Sequence, residues 1–300
     1  MSAGSVHAGK VDSAAAYGPS AFGGSVRRFV ELTLTLARTE FKLRYFGSAL
    51  GYLWSLMRPL MLFGVMYLVF THVFKLGKGI PHYAVYLLTA IVLWTYFVEA
   101  TTGSVQCLLA RESMLRKVRF PRMVIPLAVS LTAVFNLAMN FIAVFVFALA
   151  NGVYPKLSWL ELFPIVGAYV VLATGVAMLL SALYIQYRDV QPIWDVLSQL
   201  LFYLSPIIYV VAYLKALGYE KIALLSPIAV LNTQMGHAVI GHVPLTGPAG
   251  ASYGAEAFPS AATAAGGYAH LLPAIVILLG LFALGWWVFI SEAPRVAEHL

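Results

Sequence analysis

Three charged residues, Arg58, Glu99 and Asp195, fall inside long apolar stretches of this 300-residue chain, and chemistry would start there. General acid–base work needs a paired carboxylate or a histidine–acid cluster. Glu99 and Asp195 are isolated from each other and from any histidine, which argues against a membrane-embedded glycosyltransferase or acyltransferase. His237 and His242 stand five apart without a third ligand, and Cys107 is the sole cysteine, so neither a metal site nor an internal disulfide is expected. Gly4 to Val11, GSVHAGKV, matches seven positions of the phosphate-binding pattern Gly-x4-Gly-Lys-Ser/Thr, but Val11 stands where a magnesium-binding hydroxyl is needed. No strand can precede it and no helical pattern follows, so no cofactor, ATP included, is expected in this chain.

Arg58 needs an explanation, because a mid-span arginine costs about 2.5–3.5 kcal/mol on insertion scales. Three accounts compete: snorkelling to lipid phosphates, pairing with Glu99, or contact with a phosphate on a substrate. Asp195, Ser198, Gln199, Phe202, Ser205 and Tyr209 recur at three- or four-residue intervals. Such a stripe faces protein or water rather than lipid, either as plain helix packing or as the wall of a conduit. Ring faces suit the C–H faces of sugars, and Tyr52, Trp54, Phe202 and Tyr203 are candidates for lining such a path. Tyr169, Trp286 and Trp287 read instead as interface-belt aromatics.

The elements that must position these groups are membrane helices. The chain is 61% hydrophobic and 10% charged, with a mean hydropathy of +0.85, whereas soluble domains carry about 25% charged residues. Six apolar segments, approximately 50–73, 83–108, 123–150, 162–186, 192–213 and 271–291, approach or exceed the ~20 residues a membrane-crossing helix requires. Thirteen basic residues fall on the side of the N-terminal region and of the 111–123 connection, against five on the other. That excess predicts both termini in the cytoplasm. The basic balance thus orients the chain, and no nucleic-acid partner is expected. Residues 1–24, rich in Ala, Ser and Gly, are expected as a flexible cytoplasmic tail, and 25–300 as one six-helix transmembrane domain. Apolar and charged residues interleave through RRFVELTLTLARTEFKLRYFGS, which predicts an amphipathic helix along the cytoplasmic interface, in contact with membrane lipids. Residues 214–242 are apolar enough for short re-entrant outer helices, and 244–267 reads as a mobile Gly/Ala/Pro outer loop.

Between the second and third spans lies RESMLRKVRFPRM, with five of its thirteen residues basic. Ser113 can cap a helix, Met114, Leu115 and Val118 form an apolar stripe, and Pro121 stops it. Enforcing topology explains the charge; it does not explain the cap, the stripe and the stop, which suit a docking helix of about two turns.

LRKVRFPRMVIPLA (115–128) resembles a stretch in permease subunits of ABC transporters that export polysaccharides and polyol phosphates. Three further matches keep order and spacing: RYFGSALGYLWSLMRP (44–59), carrying Arg44, Tyr45, Ser48 and Gly51; YRDV (187–190), with Arg188 and Asp189; and LLFYLSPIIY (200–209), with Pro206. Ser226–Pro227 stands where that family has Asn-Pro, and His237 near where it often has arginine. The resemblance implies an all-α integral membrane protein of the bacterial plasma (inner) membrane with six transmembrane helices per chain. Arg111, Glu112, Ser113, Met114, Leu115, Arg116, Lys117, Val118, Arg119, Phe120 and Pro121 would form a cytoplasmic coupling helix docking on a separate ABC ATPase subunit, which holds the ATP and magnesium. It further implies a homodimer in a two-plus-two complex, exporting a lipid-linked glycan such as O-antigen, teichoic acid or a galactan. A permease for drugs or lipids, and a channel, are the alternatives.

Overall fold

The computed structural model describes residues 26–45, 51–112, 121–216, 218–246 and 252–292, and these form an almost wholly helical chain. The helices are α1 (Val26–Tyr45), α2 (Gly51–Leu68, running on through a π-helical turn Val69–Val73), α3 (Tyr83–Val105), α4 (Val124–Ala150), α5 (Leu162–Gln186) and α6 (Val190–Leu204). There follow the short α7 (Val211–Ala216) and α8 (Glu220–Ala223), then α9 (Pro227–Ile240), an antiparallel pair β1 (Pro244–Thr246) and β2 (Ser252–Glu256), α10 (Ala261–Ala265) and the long α11 (Leu272–Glu292).

Among the described residues, five helical stretches are long and apolar enough to cross a membrane: Leu53–Val73, Tyr83–Val105, Val124–Ala150, Leu157–Gln186 and Tyr268–Glu292. The expected sixth, 192–213, is not one helix. α6 has 15 residues, about 22 Å at 1.5 Å per residue, short of a ~30 Å hydrocarbon core. The reason is Pro206, which pushes the preceding residue out of helical space; Ser205 is extended, at φ −83°, ψ 146°. Four side chains take up carbonyls around the break. Tyr86 Oη donates to Pro206 O at 2.6 Å, Tyr83 Oη to Ile208 O at 2.5 Å, Tyr209 Oη to Leu204 O at 2.8 Å, and Asn232 Nδ2 to Pro206 O at 3.5 Å. Non-helical backbone buried in protein is tolerated at membrane depth on this condition.

α3 is the central post. In its most apolar window 78% of residues are buried, against 6% for α2, so α3 is apolar all round and α2 carries its apolar surface outward. α5 and α11 cross at a glycine seam: a Cβ on Gly285 would sit 2.0 Å from Gly175 O, and one on Gly175 would sit 2.5 Å from Phe282 Cα. Small residues let two backbones approach where lipid supplies no hydrophobic drive.

α1 is the amphipathic helix the charge interleaving predicts. Its Phe29, Leu32 and Leu36 pack on a cluster of Cys107, Leu108, Met123 and Phe289, and Phe41 meets Phe135 of α4 edge-on at 5.7 Å. At the opposite end, α9 is wedged against α3 and α5 with Asn232, Met235 and Ala238 fully buried. Its terminal carbonyls, orphaned in any helix, are served by the chain entering α5: Lys156 Nζ to Ile240 O, Ser158 Oγ to Ala238 O and Trp159 Nε1 to Val239 O.

Two expectations are corrected here. Part of the Gly/Ala/Pro segment is ordered: β1 pairs with β2, His242 Nδ1 lies 2.9 Å from Glu256 Oε1, Phe258 is buried against Tyr86, and Ser260 caps α10. Tyr169 is not a belt residue, because it is fully buried and donates to Asn232 Oδ1 at 2.7 Å.

Candidate functional site

The first turns of α2 are held against the end of α1. A Cβ on Gly51 would lie 2.7 Å from Tyr45 O, so only glycine lets the two helices meet this closely. Beside this contact, Arg44 and Tyr45 reach across to α3 and α4. Arg44 Nη1 pairs with Glu99 of α3, Asn136 Nδ2 of α4 donates to the same carboxylate, and Tyr45 Oη donates to Asn136 Oδ1 at 2.6 Å. One partly exposed network therefore ties α1 to α3 and α4. Asn140, one turn on, donates to Asn136 O at 2.9 Å.

Above this network lies a cavity of about 620 Å³, lined by Arg44, Tyr45, Trp54, Arg58, Glu99 and Asn136 among others. A smaller one of about 230 Å³ shares Leu62, Trp94 and Val98 with it and reaches Ser198, Gln199, Phe202 and Tyr203 of α6. The two adjoin along that shared wall, a trough lined by α2, α3, α4 and α6. Its walls offer two guanidiniums, one carboxylate, amides, hydroxyls and tryptophan faces, a set suited to holding a polar, charged, ring-bearing molecule.

Six of the ten expected path residues line this trough: Trp54, Arg58, Ser198, Gln199, Phe202 and Tyr203. Tyr52 lies in the first turn of α2, and its side chain is outside the described residues. The polar stripe on the fifth apolar segment is split. Trp194, Ser198 and Phe202 are its buried face, Asp195 and Gln199 are exposed, and Ser205 and Tyr209 lie beyond the helix end, serving the break. Glu99 does not pair with Arg58. Its partner is Arg44, and Arg58 is exposed to the cavity without an ion pair or hydrogen bond among the described residues. Asn136 and Asn140 were missed by sequence reasoning, although two amides four apart in a 27-residue apolar helix are a readable signal.

Of the expected docking segment, Ser113 to Phe120 lie outside the described residues, as does Ser48. Its flanks are fixed. Arg111 closes a short 3-10 turn, bonds Cys107 O at 3.3 Å and pairs with Glu40 of α1; past Pro121, Arg122 and Met123 are buried. Burial raises the Glu40 carboxyl above its usual range, an effect Arg111 and then Arg44 oppose. Asp189 takes the N-cap of α6 without a side-chain cap bond, and Arg188 sits 5.3 Å over the Tyr184 ring.

Comparison with known proteins decides the family. The model for the ABC-2 type transporter matches residues 31–235, more than half of the chain. The chain belongs to the ABC-2 type transporter family. It is a transporter permease and not an enzyme. Curated relatives agree: the O-antigen export system permease protein RfbA of Klebsiella pneumoniae is 31% identical over 180 residues, covering 60% of this chain and 69% of its own. Its namesake in Myxococcus xanthus is also 31% identical, over 59% of this chain and 68% of that one. The permease match takes in α1 from Glu31 onward, the whole trough and the Pro206 break, and it stops inside α9.

Proposed function

We propose that this chain is the membrane subunit of an ATP-driven exporter that moves a lipid-linked polysaccharide or polyol-phosphate polymer across the bacterial plasma membrane. The observation that carries this reading is the trough: cationic, amide-lined and aromatic, it lies among α2, α3, α4 and α6 in a chain whose relatives are named for O-antigen export. A solute that is sugar-like and phosphate-bearing needs such a surface, and a simple lipid does not.

In this reading both termini are cytoplasmic and α1 lies at the inner interface. The segment 192–213 makes the sixth crossing as a broken helix, and α7 to α9 form the outer re-entrant region. Two copies enclose the pathway, with Trp54, Arg58, Ser198 and Phe202 on its wall, and two ATPase subunits complete the assembly. Residues 111–121 dock on the ATPase and carry its closure into the membrane. The Arg111–Glu40 pair on one flank and buried Met123 on the other give that lever a firm seat.

Deleting the gene in its native host and restoring it tests the reading. Loss of surface polysaccharide with build-up of lipid-linked glycan inside, both reversed by this chain, is the expected result. Unchanged surface glycan refutes it. Native mass spectrometry of the gently extracted complex is expected to give two copies of this chain with two ATPase subunits.

A further inference from the structure

We propose that the larger cavity is an anion site for the phosphate-ester headgroup of a membrane amphiphile, filled by exchange of ion pairs. Its charges are few. Arg44 and Glu99 satisfy each other, while Arg58 lines the same space with no partner among the described residues. The lining thus carries one uncompensated positive charge at membrane depth. Arg58 is seven residues into α2 and Glu99 six residues before the end of α3, about 10 Å from the helix ends in each case. An unpaired cation there is costly, and a counter-ion removes the cost. Guanidiniums bind phosphate oxygens through parallel N–H donors, so phosphate ester is the chemistry that fits. Trp54 and Trp94 offer ring faces to whatever the phosphate carries.

The exchange follows from where Arg44 sits. A headgroup held by Arg58 competes with Glu99 for Arg44. When it wins, α1 loses its ionic tie to α3, while Tyr45 keeps its bond to Asn136 of α4. Arrival of the headgroup is thereby felt at the end of α1, the helix that also grips Arg111 beside the docking segment through Glu40. This deepens the exporter reading and rests on it for its consequence, though not for its geometry.

The test uses the full chain in phosphatidylcholine nanodiscs, with radiolabelled farnesyl diphosphate as probe and empty discs as background. Arg58→Gln is expected to weaken binding at least tenfold and Arg58→Lys less. Because Arg58 has no partner to lose among the described residues, the substitution removes no bond that holds them together. Glu99→Gln is expected to tighten binding several-fold. Hydrogen exchange over 38–45 is expected to rise on probe binding in the unsubstituted chain, and to be already raised in Glu99→Gln. Binding indifferent to Arg58→Gln overturns the site, and no tightening in Glu99→Gln overturns the exchange. Discs containing phosphatidylglycerol separate the sources of the headgroup: undiminished probe binding assigns a diphosphate carrier, displacement assigns bulk anionic lipid. Glycan export by a chain whose probe binding ignores Arg58 leaves the exporter reading intact and removes this one. A chain that binds the probe as described but exports no glycan does the reverse.

Discussion

Replacing Tyr86 with Phe removes one oxygen and nothing else, so it isolates what holds the α6 break together. The ring keeps its contact with Phe258 at 5.2 Å between centroids. The Pro206 carbonyl loses its 2.6 Å bond and retains only Asn232 Nδ2 at 3.5 Å, the limit of a hydrogen bond. Tyr86 is 1% exposed, so water does not replace the donor without local opening. Losing a buried bond and leaving its acceptor underserved costs about 1–3 kcal/mol. A mid-range value of about 2 kcal/mol changes the folded-to-unfolded ratio by roughly 30-fold. Reversible unfolding in mixed detergent–SDS micelles measures it. An internal control sits on the same helix: the Tyr96 hydroxyl is buried with no hydrogen-bond partner among the described residues. Tyr96→Phe is therefore expected to be neutral or stabilising, since it relieves a desolvated group. Equal costs for the two substitutions would refute the reasoning, because they would show that ring environment, and not the carbonyl bond, sets the energy.

Gly285→Ala forces a methyl to within 2.0 Å of Gly175 O. It is expected to lower stability by the ~1–3 kcal/mol typical of overpacking and to loosen α11, read by the same unfolding assay and by protease access to the C-terminal helix. Glu40 has a raised pKa because burial outweighs Arg111. The folded chain therefore holds this proton more tightly than the unfolded one, and the associated stability is present below about 4.5 and lost as pH rises through the raised value. Glu40→Gln is expected to flatten that part of the melting-temperature profile; an unaltered profile contradicts the assignment. Alanine at Met114, Leu115 and Val118 together is expected to leave ATPase turnover in place and abolish export, and export at the wild-type rate refutes the lever.

Most of the frame was legible because apolar length is a one-dimensional signal. The run 162–186 coincides with α5, and 83–108, 123–150 and 271–291 differ from α3, α4 and α11 by at most three residues at any end. The family resemblance singles out Arg44, Tyr45 and Gly51, and at Gly51 the close approach to Tyr45 O gives glycine a steric cause. The pairing of Glu99 was not legible. Its partner is 55 residues away on a helix outside the apolar runs, while Arg58 was the nearer cation inside one. The break at Pro206 is written in the sequence as a Ser-Pro pair inside an otherwise continuous apolar run. The rule that a proline ends the helix before it outweighed the hydropathy of the surrounding run. Nothing local announced the order in 244–267, because it rests on a pairing across the hairpin and on Phe258 reaching Tyr86.

The Pro206 break also bears on how such a chain can change over generations. Its carbonyls are served by tyrosines on α3, by an amide on α9 and by Tyr209 of the same segment. A lineage that exchanged Pro206 for leucine and restored the helix would strand the Tyr83 and Tyr86 hydroxyls and the Asn232 amide in a dry interior. One that first lost Tyr86 would strand the carbonyl. Each single step runs uphill, and only near-simultaneous replacements on three separate elements reach the straight-helix alternative. The kink is therefore entrenched: once acquired, it is held in place by its own supports, whether or not the cargo that first favoured it is still carried.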